Sequence, residues 1–142
     1  MALPKLGYPT YELELPSTGK TIKYRPFLVK EEKVLLMALE SKDEKQVVSA
    51  VKDLIKNCVI TRIKVDNLPS FDLEYLFLKI RGASIGENIV LTVTCLDDNE
   101  TQVEANININ DVEIFKPEGH DKKIMFDENT GLVMKYPSMK EF

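Results

Sequence analysis

The chain has 142 residues, of which 44% are apolar and 30% charged, and its net charge is −4. This length supports one domain with a buried core, and the acidic balance argues against a nucleic-acid-binding protein, which usually carries a basic patch. No apolar run is long enough to cross a membrane and no basic-then-apolar leader opens the chain, so we expect a cytosolic protein without a membrane partner. The two cysteines, Cys58 and Cys95, fit neither a disulfide framework nor a zinc knuckle and are expected to stay reduced.

Two short strands are predicted near the start of the chain. Residues 11–15 alternate apolar and acidic side chains, and residues 20–24 alternate again after a turn at residues 16–19, which predicts a β-hairpin. In this hairpin, two basic residues around the end of the second strand are expected to stand near two glutamates of the first. These four residues are Lys23, Arg25, Glu12 and Glu14.

Two helices are predicted to follow with almost no loop between them. The first covers residues 30–40, and the Ser41-x-x-Glu44 pattern has the spacing of a capping box, so we expect the second helix to start there. The second helix carries the most regular apolar stripe in the chain. Its members are Val47, Ala50, Val51, Leu54, Ile55 and Cys58. The spacing of this stripe predicts an amphipathic helix with one face toward the core.

A third helix is predicted within residues 68–84, and we take it as the centre of the fold. Four of its apolar residues lie at the spacing of one helical face: Leu73, Leu76, Phe77 and Ile80. Ser70 is expected to cap the start of the helix. A helix that is apolar over this much of its circumference is usually buried, or half buried with the remainder against a partner.

After the third helix the pattern changes to strict alternation. Residues 88–95 and 102–109 alternate around a turn rich in Asp and Asn, which predicts a hairpin with one dry face and one wet face. Residues 122–126 and 132–136 predict a last hairpin. The predicted fold class is α+β: an N-terminal β-hairpin, a three-helix cluster, then two C-terminal β-hairpins packed on the helices. We expect residues 1–142 to form a single domain without an internal linker.

Few residues of the sequence suit catalysis or metal binding. His120, the only histidine, lies beside Asp121 in a loop, but no nucleophile motif accompanies it, so an exposed loop histidine is the simpler expectation. Cys58, Cys95 and His120 lack the short spacing of paired zinc ligands. The sequence also lacks a phosphate-binding glycine loop. We therefore predict no catalytic residue, no metal site and no cofactor.

Apolar side chains are a more informative signal. The first and third helices carry more apolar surface than one small core is expected to absorb, which favours a protein-binding surface. The candidate interface residues are large and aromatic or aliphatic: Tyr24, Phe27, Leu28, Phe71, Tyr75, Leu78 and Tyr136. The alternative is that these side chains fill the core between the helices and hairpins, since large apolar residues are most often buried.

Three stretches of the chain are long and unusual. They are residues 10–33 (TYELELPSTGKTIKYRPFLVKEEK), residues 68–86 (LPSFDLEYLFLKIRGASIG) and residues 117–137, which begin with PEGH and end within GLVMKYPS. Together they resemble the baseplate hub proteins of T-even-type bacteriophages, a family described as hub subunits or hub assembly proteins. The resemblance extends over nearly all of the chain. Its motifs are not catalytic, so it assigns no role to a single residue.

The resemblance implies a non-enzymatic part in building the central hub of a contractile tail baseplate, as a structural subunit or as an assembly chaperone. It implies other phage hub proteins as partners and leaves self-association open. It also places the chain in the host cytoplasm during assembly, and in the virion if the protein is retained. Members of this family are generally longer, so the chain is expected to correspond to the N-terminal part of a longer protein.

A rival interpretation from another class is a small baseplate-associated hydrolase of the lysozyme type. Such an enzyme needs two carboxylates across a cleft, one of them with a raised pKa so that it can act as the acid. The chain has 23 Asp and Glu, and the sequence does not show which two would meet. A cleft that holds such a pair would distinguish this hydrolase from a binding protein.

Overall fold

A computed structural model describes residues 7–138 of the chain. Within this range the elements are β1 (Tyr11–Glu14), β2 (Thr21–Tyr24), α1 (Val29–Glu40), α2 (Glu44–Cys58), α3 (Ser70–Ile85), β3 (Asn88–Thr94), β4 (Gln102–Asn108), β5 (Lys123–Met125) and β6 (Gly131–Val133). Short 3-10 turns, Val65–Asn67 and Ile109–Asp111, precede α3 and follow β4. Three helices and three two-stranded antiparallel sheets confirm the predicted α+β class and the predicted order of hairpins and helices.

The first hairpin confirms one predicted charge pair and corrects the other. The register of β1 and β2 places Glu12 opposite Lys23, and the Lys23 Nζ lies 3.1 Å from the Glu12 Oε1. Arg25 instead forms a 2.9 Å ion pair with Glu31 of α1. β2 has ended before Arg25, whose backbone N–H donates to the carbonyl of Cys58, so its side chain leaves the hairpin and reaches the start of α1.

The prediction that Ser41 caps α2 is wrong. Ser41 belongs to the end of α1, where its hydroxyl donates a 2.6 Å hydrogen bond to the carbonyl of Ala38. Asp43 is the N-cap of α2, and its carboxylate accepts a 3.0 Å hydrogen bond from the backbone N–H of Lys45. Lys42 has a φ of 56°, which reverses the chain direction between the two helices. Two acceptor side chains lie two residues apart here, and the sequence pattern alone favoured the wrong one.

The bounds of α3 lie close to the predicted ones, but its cap differs. The helix already includes Ser70, and Pro69 occupies the N-cap position without a capping side chain. At the other end Gly86 has a φ of 134°, a value that residues with a side chain rarely adopt. The backbone N–H of Gly86 donates to the carbonyl of Gly82 at 3.1 Å, which closes the last turn.

The core lies between the first hairpin, α2 and α3. Its cluster consists of Leu15, Ile22, Tyr24, Leu54, Ile55, Cys58, Val65, Leu73, Leu76 and Ile80. This cluster contains three of the four α3 residues predicted to share a face, and Phe77 packs against it partly buried. In α1 the buried residues are Glu31 and Ala38, so this helix adds little to the core. Most of the apolar surface of α1 therefore stays open to water.

The β3–β4 hairpin has the predicted pairing but not the predicted burial. Its register runs from the pair Asn88 and Asn108 to the pair Thr94 and Gln102. The expectation of a dry face is wrong: the apolar side chains of that face are 41 to 51% exposed at Leu91, Val93, Val103 and Ile107. Alternation decides which side chains share a face, but cover for that face must come from elsewhere. The described helices do not supply it.

The last two hairpins contact the helices through a few residues at their ends. At the base of β4 the side chain of Ile109 is buried beside Gly82 of α3, and the Lys79 Nζ donates a 3.2 Å hydrogen bond to the Ile109 carbonyl. All six residues of β5 and β6 are exposed. After β6 the chain returns to the start of α3, where Pro69 and Ser138 form an antiparallel bridge.

Candidate protein-binding surfaces

Tyr24, a predicted interface residue, is a core residue in this chain. It is 6% exposed, and its ring stacks on Tyr11 with a centroid separation of 5.6 Å. Burial raises the pKa of the Tyr24 hydroxyl above its ordinary value. The outer member of the stack, Tyr11, is 41% exposed and is therefore the ring of this pair that is open to a partner.

Phe27 and Leu28 are half-buried in the segment that joins β2 to α1. The backbone N–H of Phe27 donates a 3.0 Å hydrogen bond to the Ser84 hydroxyl of α3. The backbone N–H of Leu28 donates a 2.6 Å hydrogen bond to the Glu31 carboxylate, which also pairs with Arg25. These bonds fix the segment against α1 and α3, so the exposed parts of both apolar side chains are held in place.

Phe71 and Tyr136 form one aromatic cluster together with His120. The Phe71 and Tyr136 rings meet edge to face at 4.9 Å, and the His120 ring stacks on Tyr136 at 5.8 Å. The His120 Nε2 also forms a hydrogen bond with the Tyr136 hydroxyl. Sequence reasoning missed this contact, because His120 and Tyr136 are 16 residues apart and each was considered with its chain neighbours. The cluster attaches the C-terminal hairpin to the start of α3.

Tyr75 and Leu78 are half-buried on α3. The Lys79 ammonium lies 5.2 Å from the centroid of the Tyr75 ring, within the range of a cation–π contact. Tyr75 also lines an open groove together with Ile114 and Lys116 from the segment after β4. The seven predicted residues therefore do not form one patch. They lie in the core, in the segment before α1 and at two positions along α3.

The outer surface of α1 is apolar, and the predicted site residues did not include it. We use the name α1 outer surface for four exposed side chains: Val29, Leu36, Met37 and Leu39, which are 52 to 79% exposed. The sequence did indicate this surface, because the apolar face of α1 is broader than packing against α2 alone would bury. The two C-terminal hairpins expose further large apolar side chains. Those of the last hairpin include Ile124, Met125, Phe126, Leu132 and Val133.

A groove between α1 and α2 bears on the hydrolase interpretation. It has a volume of about 250 Å³ and contains two carboxylates, Glu31 and Asp53. Burial alone would raise the pKa of Glu31, but the hydrogen bonds from Arg25 and the Leu28 backbone and the nearby positive charges outweigh it and lower the pKa. A catalytic acid needs the opposite shift, so this groove gives the hydrolase interpretation no support.

Among residues 7–138 no group of three or more His, Cys, Asp and Glu side chains is arranged to hold a metal ion. No helix in that range is long and apolar enough to cross a membrane. The free cysteines lie in different places: Cys58 is buried in the core, whereas Cys95 is half-buried after β3.

Fold and surface together define a small α+β protein with exposed apolar surfaces of the kind that bind other proteins. Residues 8–142 match the family described as T4 bacteriophage base plate protein. The chain belongs to this family of baseplate proteins. Comparison with curated proteins and with solved structures gave no match. The baseplate part of the predicted resemblance is thereby confirmed, and membership implies association with other baseplate proteins in the virion tail.

Proposed function

We propose that this chain is a non-enzymatic component of the baseplate hub that binds other hub proteins during baseplate assembly. Membership of the baseplate family supports the location in the tail, and the resemblance of residues 10–33, 68–86 and 117–137 to hub proteins supports the hub. The observation that carries the proposal is the exposed apolar surface of α1 and the two C-terminal hairpins. Large exposed apolar surface on a folded protein often marks a site that binds another protein.

The α1 outer surface illustrates why a partner is expected. A helix that is apolar on most sides is normally buried on most sides, yet α1 has only Glu31 and Ala38 buried. Leu36, Met37 and Leu39 project large apolar side chains into water. Covering such side chains in an interface is favourable because it removes apolar area from water. Methionine in particular adapts to partner surfaces of different shape.

Several of the interface residues predicted from the sequence stay proposed contacts. Phe71 and Tyr136 present an aromatic edge at the start of α3, and Tyr75 and Leu78 are half-buried further along the same helix. Aromatic side chains are enriched at interfaces because they bury a large area at a low entropic cost. Substitution of Tyr136 is therefore expected to weaken partner binding more than substitution of Tyr24, which lies in the core.

The test is quantitative mass spectrometry of purified phage particles and of lysate from infected cells. A hub subunit is expected in particles at a fixed ratio to the other hub proteins. An assembly chaperone is expected in the cytoplasmic lysate, bound to a hub precursor, and absent from finished particles. A protein that occurs in neither place together with hub proteins, or that copurifies with a different part of the baseplate, would contradict the proposed hub role.

A further inference from the structure

We propose that one face of the β3–β4 hairpin is a docking site for a second protein whose apolar contact surface is bordered by Lys and Arg. This inference rests on the proposed function, and it specifies which surface binds and which chemistry the partner has. We use the name hairpin face for the side chains of Leu91, Val93, Val103 and Ile107.

Cross-strand register creates a continuous apolar strip on this hairpin. Three pairs stand side by side on the same face: Ile89 with Ile107, Leu91 with Ala105, and Val93 with Val103. The opposite face pairs polar residues almost throughout, as at Thr92 with Glu104. A two-stranded hairpin is marginal in water unless another element covers its apolar face. Ile109 at the base of the hairpin packs on α3, but Leu91, Val93, Val103 and Ile107 stay 41 to 51% exposed, so the described residues leave the strip without full cover.

The charge of the segment specifies the partner. Residues 82–115 contain none of the 19 Lys and Arg of the chain. They contain seven acidic residues: Glu87, Asp97, Asp98, Glu100, Glu104, Asp111 and Glu113. The salt bridges among residues 7–138 use other carboxylates, those of Glu12, Glu31 and Asp66. Six of the seven lie outside the two strands, in the turn at the tip of the hairpin or around its base, whereas Glu104 lies on the polar face. None of the six belongs to a salt bridge within the described chain, so they form an acidic border at the two ends of the hairpin face that is available to cations of a partner.

This distribution of charge selects one occupant over three others. A second copy of the hairpin would bring seven further carboxylates against these seven, which is electrostatically unfavourable. Nucleic acid and anionic membranes are negative and would be repelled for the same reason. A protein surface with an apolar centre and a basic border satisfies both the apolar strip and the charges. The partner class is therefore a basic-bordered protein surface on another hub component.

The test titrates the full chain against each separately purified hub protein of the same phage. The variant Val93→Thr/Val103→Thr keeps the β-branched shape of both residues and removes apolar area from the middle of the strip. We expect it to weaken binding at least about tenfold, since two buried methyl groups become hydroxyls. Val90→Thr is the matched control, because Val90 is 60% exposed on the opposite face; it is expected to change the affinity less than about twofold.

Charge is tested separately with Asp97→Asn/Glu100→Gln in the turn, which leaves the Asp98 hydrogen bonds of the turn intact. This variant is expected to bind more slowly and to lose much of the salt dependence of wild-type binding. Glu44→Gln, at the start of α2, is the control and should leave the association rate and its salt dependence unchanged. Circular dichroism of each variant verifies the fold.

Three results would overturn the inference. Binding that is insensitive to Val93→Thr/Val103→Thr would overturn it and leave the proposed function in place. Self-association of the wild type that this variant abolishes would assign the face to a second copy instead. Absence of binding by every hub protein would overturn both the inference and the proposed function.

Discussion

Asp72 of α3 accepts two hydrogen bonds from Ser17 in the turn of the first hairpin. The backbone N–H of Ser17 lies 3.1 Å from one carboxylate oxygen, and the Ser17 hydroxyl donates to the other. Asp72 is fully buried, so these bonds replace its lost contacts with water. This pair joins residues 55 positions apart and fixes the hairpin on the central helix.

Substitution Asp72→Ala is expected to lower the free energy of unfolding by about 1–3 kcal/mol, because it leaves two half-buried donors of Ser17 without their acceptor. Urea denaturation measures the change. Glu74→Ala is the control: Glu74 lies two residues away on an exposed position of the same helix and should cost less than about 0.5 kcal/mol. Equal effects of the two substitutions would show that the buried carboxylate contributes nothing specific.

The ion pair between Arg25 and Glu31 predicts a pH dependence of stability. Desolvation opposes the charged form of Glu31, but the hydrogen bonds from Arg25 and the Leu28 backbone together with the charges of Arg25 and Lys30 outweigh it and lower the pKa from the ordinary value of 4.5. A lowered pKa in the folded state means that the stabilisation is complete above about pH 4.5 and is lost as the pH falls through the folded value. The wild type should therefore exceed Glu31→Gln in stability at pH 6–7, and the difference should shrink below pH 4.5.

Urea denaturation of both proteins in steps from pH 7 to pH 3 tests this dependence. Glu32→Gln is the control, since Glu32 is the neighbouring acid of the same helical turn and forms no ion pair among the described residues. A difference between wild type and Glu31→Gln that stays constant over the whole range would refute the assignment of the effect to this ion pair.

Leu76 tests whether α3 is the centre of the core. Its side chain is fully buried, and Leu76→Ala is expected to destabilise the protein by about 2–5 kcal/mol through lost burial and the cavity it leaves. Leu96 is 93% exposed in the turn between β3 and β4, and Leu96→Ala should change stability by less than about 0.5 kcal/mol. Thermal unfolding followed by circular dichroism separates the two expectations, and similar melting temperatures for both variants would place the core elsewhere.

The two cysteines are expected to differ in reactivity. Burial raises the pKa of the Cys58 thiol to about 11, and the residue is 0% exposed, so the reactive thiolate is both scarce and inaccessible. Cys95 is half-buried after β3. Iodoacetamide at pH 7.5 should modify Cys95 first and reach Cys58 only in denaturant, as peptide mass mapping would show. Equal rates in the native protein would mean that the core opens readily.

Periodicity predicted the elements of this chain well because it reports on local geometry. The pairing of β3 with β4 and three of the four expected core residues of α3 follow from spacings of two and of three to four residues. Caps were harder to predict, since Ser41 and Asp43 are both good acceptors and only the tertiary turn at Lys42 decides between them.

The candidate surfaces were less predictable than the fold, for a physical reason. Alternation shows that Leu91 and Val93 share a face, but whether that face is covered depends on elements far away in the chain. The same applies to Tyr24, whose burial depends on packing between β2, α2 and α3. The sequence alone shows that residues 82–115 contain no Lys or Arg. That this stretch could attract a basic partner follows only from the exposure of the hairpin, which the structure shows.

The central claim is that this chain binds a hub protein, and carbodiimide cross-linking of assembled baseplates tests it most directly. The reagent joins a carboxylate to a lysine without a spacer, and the hairpin segment has acids but no lysine of its own. We predict cross-links from Asp97 or Glu100 to lysines of a hub protein, found by mass spectrometry of the digested complex. Cross-links from these residues only to a second copy of this chain, or to proteins outside the hub, would contradict the account.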